Sequence, residues 1–161
     1  MNQRLAAVAV AALAFAAGIV FERFLVNVGA ERHVLIPGLA DFSPIFNKGV
    51  SFGLFAPDSA TGRHLLMMFL SVLSAAVAVF MWRATHRLAA MGFALVLAGA
   101  LGNLSDRLQF NGAVFDFLAL HLGRLPLFVC NLADIFISAG AALLLLDSLF
   151  PQGRGAPDIA A

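Results

Sequence analysis

The sequence predicts an all-α membrane protein, with four transmembrane helices and a small extracytoplasmic β-rich segment. Two features of composition and one of pattern predict this. Of its 161 residues 61% are hydrophobic and only 12% are charged, where a soluble domain carries about a quarter charged residues. Mean hydropathy is +0.94, and the aromatic content is 16 Phe with no Tyr. The apolar residues gather into four runs, each close to the roughly 20 residues that a helix needs to cross about 30 Å of hydrocarbon. Residues 1–161 are therefore expected to form a single integral membrane domain.

The first run, residues 5–21, follows Arg4 and is closed by Glu22 and Arg23. A charged start, an apolar stretch and the small residues of AFAAG also fit a cleavable signal peptide. A retained helix is the expected reading, because three more spans follow and removing this one would leave an odd number. Residues 31–56 read as β-rich: Pro37, Gly38 and Pro44 break helical continuity, and Val50, Phe52 and Leu54 alternate. Asn47, Lys48 and Gly49 make a turn within it. The second span, residues 65–82, ends at Arg83, His86 and Arg87. The third, 88–104, carries Ala98, Gly99, Ala100 and Gly102, small residues that let helices approach closely. The fourth, 131–150, stops at Pro151.

Charge sets the orientation. Arg83 and Arg87 lie in a short turn without an acid, and by parity Arg4 and Arg154 share that side, which is predicted to be cytoplasmic. The segment after the first span, the end of the third and the start of the fourth then meet at the outer face. A net charge of +1 with scattered Lys and Arg excludes a nucleic-acid surface. Cys130 is the only cysteine, so no intrachain disulfide or thiolate cluster can form. The four histidines are dispersed, and neither a metal nor a cofactor is predicted.

Against this apolar background the acids at the run edges stand out, since an ionisable group at a membrane boundary is costly unless it is used. Asn103 and Asp106 are three apart, as are Asn131 and Asp134, a spacing that places each amide and carboxylate on one helical face. Asp116 follows a turn at Asn111 and Gly112, so VFDFLAL should fold back and bring it toward Asp134. Arg107, beside Asp106, is expected to pair with a carboxylate or a lipid phosphate. Two close carboxylates cannot both ionise cheaply, so such a pair retains one proton and titrates as a unit. The ionised member can then activate water while the protonated one bonds the scissile carbonyl.

GALGNLSDR, GAVFDF and NLAD, with FNKGVSFGLF upstream, resemble in order and spacing the boxes of the prolipoprotein signal peptidase family, signal peptidase II. The resemblance implies an aspartic endopeptidase of the bacterial inner membrane, with its active site at the outer face. Its substrates would be prolipoproteins cut before a diacylglyceryl-modified cysteine, its surroundings membrane lipids, and its inhibitor globomycin. It implies a catalytic pair of Asp116 and Asp134, supported by Asn47, Gly49, Asn103, Asp106, Arg107 and Asn131. The family's D-Q-x-T-K stretch is absent from VFERFLVN, and Cys130 and Ile135 stand where Phe and Ser are common.

Blander readings compete at each position. Asp106 with Arg107 reads as a structural ion pair, Cys130 as an inert buried thiol, and the Phe residues around Asn47 as a lipid-facing belt. A small proton-coupled transporter or an assembly factor is the alternative function. A transporter would want its carboxylates near the midplane and reachable from both sides, whereas these cluster at one face.

Overall fold

The computed structural model describes residues 2–29, 31–49 and 59–150. Among them, four helices are long and apolar enough to cross a membrane: α1 (Gln3–Val26), α2 (Ala60–Arg83), α3 (Arg87–Gln109) and α4 (Leu132–Leu149). Three of the four helix starts have a side-chain cap. The Asn2 side chain accepts the Arg4 N–H, Ser59 accepts the Gly62 N–H, and Asn131 accepts the Asp134 N–H, which satisfies donors that have no partner in the first turn. α1, α2 and α3 run past the predicted spans by up to a turn or so, because the polar residues at their ends are held by partners inside the fold.

α3 is the hub and packs against the other three helices. Small residues make this possible. A Cβ on Gly99 would lie 2.3 Å from the Ala133 carbonyl oxygen, and one on Gly140 would lie 2.5 Å from that of Gly92. α3 and α4 therefore touch backbone to backbone, the close packing that substitutes for the hydrophobic effect where lipid is as apolar as the side chains. On its other side, Ala90, Ala94 and Leu97 of α3 meet Ala7 and Ala11 of α1 and Met81 of α2. Gln3 donates to the Ala84 carbonyl at 3.0 Å, and the Arg4 guanidinium lies 5.4 Å from the Trp82 ring centroid. These contacts tie the start of α1 to the end of α2, as an alternating bundle requires.

The other end of the bundle carries an antiparallel sheet in the order β1-β2-β3-β4, with β1 (His33–Ile36), β2 (Ala40–Asn47), β3 (Val114–Leu122) and β4 (Leu125–Cys130). The predicted β-rich segment supplies β1 and β2; residues 50–56, including the Val50, Phe52 and Leu54 alternation, lie outside the described residues. The hairpin of β3 and β4 adds a second half that the sequence reading took only as a chain folding back. Pro44, which lacks an amide donor, sits where the β2–β3 register slips between Phe42 and Ile45, a position where the ladder tolerates it. Asn111 and Gly112 turn the chain from α3 into β3 with φ of 53° and 92°, conformations that Asn and Gly adopt most readily. Phe42, Phe115 and Phe117 then pack with Leu25 and Leu132, seating the sheet on the bundle.

Candidate active site

The site forms where β2, β3, the end of α3 and the start of α4 converge. Asn47 pairs with Val114 across the β2–β3 ladder, so Asp116, two residues on, is its diagonal neighbour on the same face. Asn47 Nδ2 donates to Asp116 Oδ2 at 3.0 Å, and Asn47 Oδ1 accepts the Gly49 N–H at 3.0 Å. The side chain thus fixes the turn and the carboxylate together. Asp116 is only 2% exposed. Burial pushes its carboxyl up to about 6, with the charge of Asp134 adding to the rise while the Asn47 hydrogen bond and Arg107 oppose it.

Asp134 reaches the same place from α4. Asn131 is not inside that helix, as the three-residue spacing suggested, but is its cap. Its Oδ1 accepts the Asp134 N–H at 2.9 Å, while the Asp134 carboxylate accepts the Asn131 N–H at 3.3 Å. This reciprocal capping box holds the carboxylate in the first turn, where the helix dipole favours an anion. The amide of Asn131 remains free to work elsewhere. Its Nδ2 donates to Asp116 Oδ1 at 3.1 Å and to Asn103 Oδ1 at 2.9 Å, and Asn103 Nδ2 donates to Asp134 Oδ1 at 2.9 Å. Two amides in series join the two aspartates, and Asn131 is fully buried at 0% exposure.

Arg107 and Asp106 depart from expectation. The Arg107 guanidinium donates to the carbonyl oxygens of Asn103, at 3.1 Å, and Gly49, at 2.9 Å, instead of gripping a carboxylate or facing outward to a lipid. It braces α3 against the turn after β2 and supplies positive charge from behind. Asp106 accepts the buried Phe115 N–H at 2.9 Å, so its bond fixes the start of β3 one residue before Asp116. It is a strut between helix and strand, not half of a tight ion pair with Arg107. Neither role was visible in the sequence, because both depend on chain that comes from elsewhere in the fold.

The sequence reading also passed over Glu22. Only 4% exposed, it lines a small cavity with Ser105, Asp106 and Gln109 of α3. The signal for it was present: a carboxylate at the edge of an apolar run. At the edge of an apolar run the same residue also reads as the end of a span. Cys130 is buried beside the site, and burial pushes its thiol up to about 11, which keeps it an inert packing group.

Four apolar helices, a sheet seated on one end, and carboxylates joined by amides beneath that sheet define a multi-pass membrane protein with a buried acid site. Comparison with known proteins narrows this. The sequence pattern of signal peptidase II matches residues 6–150, and the chain belongs to that family: it is a peptidase and a multi-pass bacterial membrane protein. A lipoprotein signal peptidase of Methylobacterium radiotolerans is 47% identical over 117 residues, covering 71% of this chain and 67% of the relative. One from Methylocella silvestris is 38% identical over 160 residues, covering 97% and 92%. A solved structure described as "Bacterial membrane enzyme structure by the in meso method at 2.3 A resolution" shares the fold, with a TM-score of 0.73 at 19% identity over 94% of this chain and 93% of that one.

Proposed function

We propose that the chain is an aspartic endopeptidase that removes signal peptides from diacylglyceryl-modified prolipoproteins, with Asp116 and Asp134 as its catalytic pair. The observation that carries this reading is the amide-linked pair itself, two carboxylates on different elements joined through Asn131 and Asn103 with, among the described residues, no cation hydrogen-bonded between them. The pair holds one proton. Its ionised member takes a proton from water as the water oxygen attacks the scissile carbonyl carbon, and its protonated member bonds the carbonyl oxygen as negative charge develops there. Collapse of the tetrahedral intermediate breaks the C–N bond and returns a proton to the leaving amine. Neither metal nor acyl-enzyme enters this cycle.

The supporting residues keep that geometry. Asn47 and Gly49 form the turn against Asp116, Asp106 ties β3 to α3, Arg107 balances charge from behind, and Asn103 and Asn131 orient both carboxylates. The proposed location is the inner membrane with the site at the outer face, opposite the short arginine-bearing turn between α2 and α3, which the charge pattern puts on the cytoplasmic side. A lipid-modified cysteine would then present its scissile bond at the depth of the sheet, and globomycin would compete for the same cleft.

The test is cleavage of a diacylglyceryl-modified precursor by purified wild type, Asp116→Asn and Asp134→Asn, with unmodified precursor as control. Cleavage of the lipidated substrate by wild type alone is expected. Activity surviving in either variant would refute the pair, and equal cleavage of unmodified precursor would refute the substrate class.

A further inference from the structure

The end of the bundle opposite the acid site carries a second polar cavity between two membrane helices. His86, Arg87, Leu88 and Met91, at and just inside the start of α3, line it with Asp147, near the end of α4. Its volume is about 460 Å³, within the range of about 300–1,000 Å³ typical of ligand clefts and far more than the roughly 30 Å³ of one water. Both of its charges lack a partner. The Asp147 side chain is 17% exposed, and its Oδ1 is buried with no hydrogen-bond partner among the described residues. His86 Nδ1 stands 3.5 Å from that oxygen without making a hydrogen bond. A buried acceptor in this state costs free energy unless a donor arrives from outside, and the last turn of a helix is the end where the dipole disfavours an anion. On the other wall Arg87 is exposed and pairs with no carboxylate among the described residues. The first-turn N–H groups of α3, which have no partner within the helix, also have no side-chain cap.

We propose that this cavity binds a phospholipid whose headgroup carries both a phosphate and a primary ammonium, the phosphoethanolamine type. The ammonium supplies the N–H donor that Asp147 Oδ1 lacks, and the phosphate takes Arg87 together with the opening N–H groups of α3. Leu88 and Met91 give the adjoining acyl chain an apolar wall, to which a flexible thioether adapts. Charge and hydrogen bonding choose among headgroups. A headgroup with a phosphate alone adds negative charge beside Asp147 and leaves Oδ1 without a donor. A quaternary ammonium brings the right charge but no N–H, so the same oxygen stays unsatisfied. The location favours a lipid over a soluble ligand, because α3 and α4 are both long and apolar enough to span the bilayer, and their ends lie at headgroup depth.

The test is native mass spectrometry of the purified full chain in detergent. The chain is titrated with phosphatidylethanolamine, its mono-, di- and trimethylated forms, and phosphatidylglycerol, all with the same acyl chains. Wild type is expected to hold phosphatidylethanolamine about tenfold more tightly than the trimethylated lipid, the scale of one hydrogen bond to a charged group, and more tightly than phosphatidylglycerol. Asp147→Leu, which removes the acceptor in an apolar helix, should bring the ethanolamine and trimethylated lipids within about twofold of each other. Arg87→Gln should weaken both by about tenfold and leave their ratio unchanged. Equal binding of the whole methylated series by wild type would make the lipid a non-specific boundary lipid and overturn the proposal without any variant. Tighter binding of phosphatidylglycerol would overturn it in favour of a purely anionic site. An undiminished ethanolamine preference in Asp147→Leu, with a melting temperature matching wild type, would remove Asp147 from the site. Displacement of bound lipid by an equal concentration of glycerophosphoethanolamine, which has no acyl chains, would overturn the assignment to a lipid.

Discussion

Replacing Asn47 by Leu should move the pH dependence of catalysis in a direction the site dictates. The Asn47 amide donates to Asp116 at 3.0 Å and so stabilises the ionised carboxylate. A hydrogen bond to a charged group is worth about 1.5–3 kcal/mol, and one pKa unit corresponds to about 1.4 kcal/mol. Asn131 continues to donate to the other oxygen at 3.1 Å, so the lower end of that range applies and the expected change is about one unit. Asp116 stands at about 6 with the bond in place, which puts the variant at about 7. On the proposed mechanism the pair carries one proton, and activity falls on the alkaline side as that proton is lost. Losing a donor to the anion makes the proton harder to remove, so the alkaline limb of kcat/KM, which reports the free enzyme, moves from near 6 to near 7. The measurement is a kcat/KM profile for wild type and Asn47→Leu between about pH 4 and pH 9. Maximal activity will also drop, because Gly49 loses its partner, but amplitude and midpoint separate cleanly. A midpoint that stays in place or shifts to lower pH would show that Asp116 does not carry the titration, and the assignment of the pair would fail with it.

Asp106→Ala leaves the Phe115 N–H, now satisfied at 2.9 Å, buried without a partner, and should lower stability by about 1–3 kcal/mol in reversible unfolding, with activity lost alongside as β3 shifts. Gly99→Val places a branched side chain where the Ala133 oxygen would be 2.3 Å and Ile137 Cγ1 2.7 Å from its Cβ; α4 must move away, and both melting temperature and turnover should fall, whereas an unperturbed Gly99→Val would refute the tight α3–α4 contact. Asp41 is held below the usual carboxylate range by Arg32 first and then by His121. A lowered folded value means the stabilisation is present above the unfolded value of about 3.9 and is lost as pH falls below it. Amide exchange in β1 and β2, relative to the intrinsic rate, should therefore accelerate in wild type only as pH falls below about 4, and Asp41→Asn should remove most of that dependence.

The four helices were legible because an apolar run of membrane length has few other readings. The convergence of Asn103, Asp106, Asn131 and Asp134 at one end was legible for the same reason, since polar residues in such runs are conspicuous. The β3–β4 hairpin was not. Val114, Leu118 and Leu120 are apolar on one face of β3, and Phe115 and Phe117 are apolar on the other, so a strand covered on both sides carries no alternation to detect. Only Gly123, at φ 59° in the turn, marked the hairpin. The role of Asn131 was hidden by a coincidence of spacing: three residues separate neighbours on a helical face and also separate a cap from the residue it caps. Helical periodicity favoured the first meaning, and the extended backbone at Asn131, with φ −125° and ψ −175°, gives the second.

That double meaning bears on why the aspartates are joined by amides and not by a cation. Arg107 is close enough to feel Asp116 and Asp134 electrostatically, yet its hydrogen bonds go to the carbonyls of Asn103 and Gly49. A guanidinium bonded directly to either carboxylate would favour ionisation of both and so discourage the shared proton that the proposed reaction needs. An amide is neutral and can donate and accept at once. Asn131 gives a hydrogen to Asp116, gives another to Asn103, and takes the Asp134 N–H at the helix start. Asn103 in turn gives a hydrogen to Asp134. The spacing of the two carboxylates is thereby set by neutral groups that hold the same geometry whichever aspartate carries the proton, while the nearest buried positive charge is kept a hydrogen bond away. Capping the helix and bridging the acids are one arrangement, and replacing Asn131 by an apolar residue would undo both.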